Sequence, residues 1–335
     1  MALELPLLRL GVAGFADEQL QALRAVLAEG AGTATIWESG PMDGADAWWI
    51  NGARTQVLGV DHVRVAPGTA GGRSIQINIG DVDRPLAFAR PLPQAFEAPC
   101  SFDLASPSSM KAVLRQFEGW LAPIVAQFCL ASHVVDHQSA LGAGQFELCQ
   151  GTQVLAMVDM QGEVAVRSTL GPGDFEDTWW RRSTSAPVPE HFARTSLAQL
   201  MWQYTVRTQR ELLPKHYRSG LLYFRRAPHL PQRLIKDSHL LIMRELVLAP
   251  ATFEELQQRC GFPEARLARE LASLYFVGSI TSNPKRAARI APRTAGLDSG
   301  PMQSHLDSFV PSELPAARRP AATDLTAPAP LRFDH

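Results

Sequence analysis

The fold is set by residues 5–30, which read LPLLRLGVAGFADEQLQALRAVLAEG. Residues 5–13 are an almost continuously apolar run, which is typical of a short buried strand that ends at Gly14. From Asp17 the apolar residues recur at near-helical spacing, acids occupy the first turn, and Gly30 supplies a stop signal. A strand followed directly by a helix predicts an α/β domain.

The segment that follows continues this pattern. Further strands are predicted at 33–38, 46–51, 74–79 and 86–89. Strands that alternate with helical segments favour a mainly parallel sheet with helices on its faces. We therefore expect a first α/β domain over residues 1–95.

The central part of the chain, residues 96–235, has a different periodicity. A long amphipathic helix is predicted from Ser108 to Ser132, after the start signal Ser106-Pro107. Strands joined by glycine-containing turns then predict an antiparallel meander, and this region is expected to be β-rich and of the α+β class. The elements expected after the long helix are strands at 146–149, 153–159 and 163–167, a loop at 171–190, a helix at 196–213 and a strand at 221–225.

The pattern becomes helical between residues 237 and 282. Thr252 and Glu255 form a capping box at the start of one helix. The predicted elements are helices at 238–249, 252–260 and 263–275 and a β-wing that opens at 277–281. Their order resembles that of winged helix-turn-helix domains, and the resemblance implies a winged-helix-like domain over residues 236–283.

The last residues, 284–335, are rich in Pro, Ala, Ser and Arg. Such a composition buries too little apolar area to offset the entropy of ordering the chain. A disordered tail is predicted, and removal of residues 290–335 is expected to leave folding intact.

The composition of the whole chain is that of a globular protein, with 46% hydrophobic and 19% charged residues over 335 positions. The formal net charge of -1 provides no global field toward nucleic acid or an anionic membrane. The four cysteines are far apart and form no CxxC pair, so the sequence indicates neither a zinc ribbon nor a disulfide framework. Neither a signal peptide nor a membrane span is predicted. We therefore expect a cytoplasmic multidomain protein.

Residues 45–51, Ala-Asp-Ala-Trp-Trp-Ile-Asn, resemble the third strand of response-regulator receiver domains, which ends in the phosphoacceptor Asp. Asn51 stands at that position, and an amide does not form an acyl phosphate. The acidic pair that binds Mg²⁺ in that family would fall near residues 13–16, which carry no carboxylate. Arg90 stands where the family has a Lys. The resemblance implies a pseudo-receiver without phosphotransfer chemistry, and a generic α/β domain is the alternative.

The third helix of the winged-helix-like domain is the candidate recognition helix. The side chains expected on its exposed face are Glu264, Arg266, Arg269, Glu270 and Ser273. Because the charges cancel, and because a DNA-binding face normally carries excess positive charge, protein binding is favoured. DNA binding is the alternative, with further basic charge supplied by Lys285, Arg286, Arg289 and Arg293.

Cys129, His133 and His137 recur every four residues and would share one helix face, which is a plausible metal-ligand spacing. The pattern provides no fourth ligand. We favour the interpretation that polar residues take over where the helix leaves the core, and we predict no metal and no cofactor.

A second candidate ligand site is the run Trp179-Trp180-Arg181-Arg182. Aromatic rings beside guanidinium groups would stack on a base and clamp a phosphate, and Arg225-Arg226 would add to the same site. The favoured alternative is that the two Trp side chains fix a loop on the core while the Arg side chains face water.

The chain contains no GxSxG, HExxH or paired-carboxylate motif. We therefore predict a non-catalytic signalling or regulatory protein that acts through contact with a protein partner. A transcription regulator that binds DNA through the winged helix is the alternative, and a nucleotide-sensing effector is the weaker one.

Overall fold

The computed structural model describes residues 4–30, 34–94, 96–183 and 187–288, which form a mixed α/β structure. Its helices are α1 (Asp17–Glu29), α2 (Pro107–Trp120), α3 (Ala122–Asp136), α4 (Leu197–Arg207), α5 (His216–Ser219), α6 (Asp237–Leu248), α7 (Phe253–Cys260) and α8 (Glu264–Phe276). Its strands are β1 (Leu7–Ala13), β2 (Ile36–Gly40), β3 (Ala47–Asn51), β4 (Thr55–Val57), β5 (His62–Val65), β6 (Ile75–Asn78), β7 (Leu86–Ala89), β8 (Ser101–Phe102), β9 (Gln145–Gln150), β10 (Gln153–Asp159), β11 (Glu163–Arg167), β12 (Trp179–Arg182), β13 (Phe192–Ser196), β14 (Tyr223–Phe224) and β15 (Ile280–Thr281).

A five-stranded parallel sheet in the order β2-β1-β3-β7-β8 confirms the prediction of a parallel sheet with helices. Alternate side chains point to opposite faces, as strand geometry requires. Leu8, Leu10 and Trp49 pack beneath α1 and α2 on one face. Ile50 and Phe88 pack beneath a small antiparallel sheet, β4-β5-β6, on the other face. A β-sheet therefore covers the face on which further helices were expected.

The strand predicted at 74–79 forms, as β6, but it pairs antiparallel with β5 and lies outside the parallel sheet. The fourth parallel strand is β7, and the fifth is β8, which is only two residues long and has no clear sequence pattern. Arg90 therefore follows the fourth parallel strand, which corrects its placement as the counterpart of the receiver Lys after strand five. The side chains of β8 and α2 share the core of the parallel sheet, so this domain extends past residue 95 to Leu121.

The long helix predicted from Ser108 to Ser132 is two helices, α2 and α3, separated at Leu121. Pro123 explains the break, because its nitrogen carries no hydrogen for a bond to an upstream carbonyl and its ring clashes with the preceding turn. The two helices serve different cores: α2 covers the parallel sheet, whereas α3 packs with the antiparallel sheet described next. The break is thus the joint between two domains.

The central domain is a five-stranded antiparallel sheet in the order β12-β9-β10-β11-β13, with α3 and α4 packed against it. The strands predicted at 146–149, 153–159 and 163–167 form as β9, β10 and β11. The segment 171–190, predicted to be a loop, contributes the edge strand β12. The helix α4 ends at Arg207, six residues before the predicted end at 213.

The C-terminal elements are α6, α7 and α8 with a two-stranded sheet, β14-β15, and their buried side chains belong to the same core as those of the central sheet and α4. The capping box of Thr252 and Glu255 starts α7, and Gly261 ends it in the left-handed conformation that glycine favours. The segment predicted to open a wing, β15, pairs with β14 from before α6, and the described residues contain no strand after it. Most of the predicted tail, from residue 289 onward, lies outside the described residues.

Within the described ranges, no helix has both the length and the apolar character that crossing a membrane requires.

Candidate functional site

The carboxyl ends of parallel strands are where doubly wound sheets bind ligands, and Asn51 lies at this edge, at the end of β3. Its side-chain nitrogen donates to the Gly14 carbonyl (3.0 Å) and to Gln19 Oε1 (3.2 Å), and its oxygen accepts from the Ala53 N–H (3.1 Å). The amide is 4% exposed. Both of its polar atoms therefore hold the loops of β1 and β3 together, and a carboxylate at this position would lack the donor that Gly14 requires.

Close backbone packing fills the same edge. A Cβ on Gly52 would lie 2.4 Å from the Ala89 carbonyl oxygen, and a Cβ on Gly68 would lie 1.8 Å from that of Phe15. Arg90, predicted to stand at the position of the receiver Lys, donates to Ser101 Oγ at 3.1 and 3.2 Å. The backbone and side chains are thus closely packed along this edge of the sheet.

The candidate recognition helix, α8, exposes only part of the predicted face. Glu264, Arg266 and Arg269 are exposed, Glu270 is largely covered, and Ser273 is buried at 1% exposure. The predicted exposure of Ser273 is therefore wrong. Its hydroxyl forms a 2.6 Å hydrogen bond with Thr205 Oγ1 of α4, because the second half of α8 packs on α4.

Ion pairs engage most of the charges at the start of α8. Arg218, which follows α4 in the chain, bridges Glu264 (2.6 Å) and Glu211 (2.5 Å). Arg266 lies 3.8 Å from Glu270 and over the ring of Phe262. Among the described residues, Arg269 has no side-chain partner. Sequence patterns gave no signal for Arg218, because its partners come from separate segments.

Glu270 links α8 to α6. Its carboxylate accepts a hydrogen bond from Ser238 Oγ (3.0 Å) and lies in close contact with His239 Nε2, while His239 Nδ1 accepts from the Lys236 N–H (3.1 Å). Burial alone would raise the pKa of Glu270, but the hydrogen bonds from His239 and Ser238 and the charge of Lys236 lower it. Glu270 is therefore an anchoring residue, and not the free surface charge that the sequence predicted.

The Trp-Arg run forms the edge strand β12 rather than a ligand loop. Trp180 packs against the core, whereas Trp179 is 47% exposed. Arg181 forms an ion pair with the buried Glu147, and Arg182 donates to the Ala143 carbonyl at 3.2 Å. The first pair lowers the pKa of Glu147, chiefly through the hydrogen bonds from Arg181.

Arg225 and Arg226 do not join this strand. The Arg225 N–H donates to the Ser279 carbonyl (2.8 Å), and Arg226 donates to the Val277 carbonyl (3.4 Å). They lie beside β15, so the structure does not bring the two arginine pairs into one nucleotide site.

Cys129, His133 and His137 lie along α3 and its C-cap, as their spacing predicted. Cys129 points into the core, and burial raises the pKa of its thiol to about 12. The two imidazole rings stack at 5.4 Å, and the nearby Asp136 pairs with Arg210 at 2.8 Å. The described part of the chain contains no cluster of three or more residues suited to holding a metal ion.

Two contacts that sequence patterns did not indicate connect the N-terminal and central domains. Asp46 forms a 2.5 Å ion pair with Arg207 of α4, and both side chains are only 9% exposed. Glu4 accepts hydrogen bonds from Tyr204 OH (2.6 Å), from the Gln209 N–H (3.3 Å) and from the Thr208 hydroxyl. These carboxylates fix the N-terminal domain to α4.

Comparison of the chain with family models, with curated proteins and with solved structures gives no match. The assignment of function therefore depends on the geometry of the side chains described above.

Proposed function

We propose that this chain is a non-catalytic cytoplasmic regulatory protein in which α6–α8 bind a protein partner. The observation that carries the proposal is the packing of α8 on α4 through the buried Thr205–Ser273 hydrogen bond. A recognition helix that reads DNA inserts an open face into the major groove. On α8, the second half of the predicted recognition face is buried against α4 and is not open to DNA.

The remaining exposed charges also favour protein over DNA. Arg218 and Arg266 are engaged by Glu264, Glu211 and Glu270, so the start of α8 presents acids beside bases. Phosphate contacts supply much of DNA affinity, and nearby carboxylates repel phosphate. Mixed charge is instead typical of the polar rim of a protein interface.

An exposed apolar surface on α6 provides the contact area. Leu240, Val247 and Leu248, at 51%, 36% and 73% exposure, lie with Arg244 along the outside of this helix, and we name these four residues the α6 face. Residues spaced three, four and seven positions apart share one side of a helix. Apolar side chains bordered by a charged group are characteristic of protein-binding surfaces.

A transcription regulator is the second candidate function. It is favoured by the exposed guanidinium groups of Arg266 and Arg269 in the first half of α8, the end that contacts bases in helix-turn-helix proteins.

Fluorescence anisotropy with random and genomic duplexes, at low and physiological salt, separates the two functions. We expect negligible DNA affinity at physiological salt, both for the wild type and for Arg266→Ala. Sub-micromolar, sequence-selective binding that Arg266→Ala abolishes, and that the remote control Arg24→Ala retains, would establish the DNA function instead.

The partner function is tested by affinity purification of the folded protein from a native lysate. Leu240→Asp with Leu248→Asp should remove a stoichiometric partner that the wild type retains, because burying a carboxylate in an apolar interface is costly. The matched control is Val60→Asp, a substitution at a 95% exposed position outside α6. Equal retention by both variants would contradict the role of the α6 face.

A further inference from the structure

A concave pocket of about 230 Å³ lies where the parallel-sheet domain meets α4 and the C-terminal helices. Arg9 contributes from β1, Lys236 from the residue before α6, and Arg266 and Arg269 from α8. Val206 of α4 adds an apolar wall. The pocket therefore exists only when β1 lies against α4 and the C-terminal helices in this arrangement.

The pocket has a large excess of positive charge. Four cationic side chains face one carboxylate, that of Glu270, which is already engaged by Ser238 and His239. Within the described residues, the side chains of Arg9, Lys236 and Arg269 form no hydrogen bond or ion pair. Partial burial, and then the charge of Arg9, lower the pKa of Lys236, although Glu270 acts in the opposite direction. The surroundings thus favour an added negative charge.

A larger cleft of about 1070 Å³ adjoins this pocket and shares Val206 and Lys236 with it. Its lining includes Trp120, which is 51% exposed, and Arg233, whose side chain forms no hydrogen bond or ion pair with the described part of the chain. Arg207 also lines the cleft, where it is already paired with Asp46. The cleft therefore offers an aromatic surface and the guanidinium group of Arg233 beside the basic pocket.

We propose that the pocket and the cleft form one binding site for a small phosphate-bearing organic molecule of the nucleotide class. Its phosphate groups bind Arg9, Lys236 and Arg269, because guanidinium and ammonium groups hold phosphate oxygens through charge-assisted hydrogen bonds. Arg266, at the rim of the pocket, stays paired with Glu270. The organic part of the ligand extends into the cleft toward Trp120. A pocket of this volume fits a phosphate or diphosphate group, whereas a specific DNA interface buries about 1,000–2,500 Å² of protein surface.

Binding at this site stabilises the packing of the parallel-sheet domain against the rest of the molecule, because the ligand contacts Arg9 of β1 together with Lys236 and Arg269. A ligand that binds only the folded state raises the melting temperature in proportion to the logarithm of its concentration over Kd. The site does not depend on what α6–α8 bind, so it would supply an input signal to a protein-binding or a DNA-binding regulator alike.

The test uses the full chain at low ionic strength. Inorganic phosphate, pyrophosphate, AMP, ADP, GMP and GDP are titrated by calorimetry and by thermal shift, with sulfate as a control for nonspecific anion binding. We expect at least one nucleotide to bind more tightly than sulfate and to raise the melting temperature. Arg269→Gln and Lys236→Gln should each weaken its Kd at least tenfold, and the matched surface variant Arg24→Gln should leave it unchanged.

The same two variants also test the site in the absence of ligand, through their melting temperatures. Because Arg269 and Lys236 add to unrelieved positive charge, their replacement by Gln should leave the melting temperature unchanged or raise it. The proposal is overturned if no probe binds, if sulfate binds as tightly as every nucleotide, or if both variants bind like the wild type. Competition by duplex DNA that Arg269→Gln removes would also overturn it, by assigning the basic cluster to nucleic acid.

Discussion

The Asp46–Arg207 ion pair provides the sharpest test of how the domains are held together. Its two side chains are 9% exposed, and Asp46 Oδ2 also accepts a hydrogen bond from the Arg9 N–H at 2.9 Å. Asp46→Ala removes both acceptors and leaves the Arg207 guanidinium covered by protein without its counter-charge.

The expected loss follows from this burial. Breaking a buried ion pair by removal of one partner costs about 3–5 kcal/mol. The orphaned N–H of Arg9 adds about 1 kcal/mol. We therefore expect Asp46→Ala to lower the free energy of unfolding by about 4–6 kcal/mol, which at about 2–4 °C per kcal/mol corresponds to about 8–24 °C in Tm.

Calorimetry and denaturant titration measure the effect. The matched control is Asp83→Ala, because Asp83 is 65% exposed and its pair with Arg84 should be worth at most about 1 kcal/mol. The double variant Asp46→Leu/Arg207→Met removes both charges and should recover most of the loss, since uncharged side chains carry no desolvation penalty. The reasoning is refuted if Asp46→Ala is no more destabilising than Asp83→Ala, or if the double variant is as unstable as Asp46→Ala.

Three further predictions concern single residues. Acetyl phosphate with Mg²⁺ should give no hydroxylamine-sensitive labelling of the wild type or of Asn51→Asp, because the metal-binding acids are missing; labelling of either would show an acyl phosphate. Arg181 lowers the pKa of Glu147, so the stabilisation by ionised Glu147 is present above the unfolded pKa of about 4.3 and is lost as the pH falls through the folded value. Between about pH 6 and about pH 3, Tm should therefore fall more steeply in the wild type than in Glu147→Gln, and equal slopes would argue against this role. Iodoacetamide at about pH 8 should label Cys129 more slowly than the half-buried Cys100. The reason is that only the thiolate reacts, and burial raises the pKa of Cys129 to about 12. Equal labelling rates in the native protein would contradict the burial of Cys129.

Local signals predicted individual elements well. The acids after Asp17 and the stop at Gly30 bound α1, the apolar run 86–89 is β7, and the Thr252 capping box opens α7. Each of these signals acts within one helical turn or along one strand. Such signals depend only on neighbouring residues, so they can be recognised without knowing which segments pair with each other.

Pairing between distant segments could not be predicted in this way. Residues 75–78 have the same extended pattern whether they join a parallel sheet or, as observed, an antiparallel one. The two-residue strand β8 exists because β7 offers it a free edge. Pro123 was visible in the sequence, but the amphipathic pattern on both sides of it favoured one continuous helix.

In the candidate sites, too, the features that depend on local sequence were predictable and those that depend on distant residues were not. Asn51 was found because it stands at the end of a predicted strand, and the structure shows which loops its amide connects. The burial of Ser273 depends on Thr205, which lies 68 positions earlier in the chain. The pocket of Arg9, Lys236 and Arg269 combines side chains from distant parts of the sequence, and of the three only Arg269 lies on an element that the sequence singled out.

The hydrogen bonds that Glu4 accepts from Tyr204, Thr208 and Gln209 form late during synthesis of the chain. Glu4 bonds Tyr204 across 200 positions of sequence, so closure of this contact must wait until α4 has been made. At about 5–20 residues per second, the delay is about 10–40 s. Over that time the strands and helices of the parallel sheet have to associate without their attachment to α4. When the complete chain refolds, we expect the same contact to form late, because closing a loop of 200 positions costs more entropy than forming local contacts. Glu4→Gln should then accelerate unfolding and leave the rate of refolding nearly unchanged, because a contact that forms late is absent from the transition state.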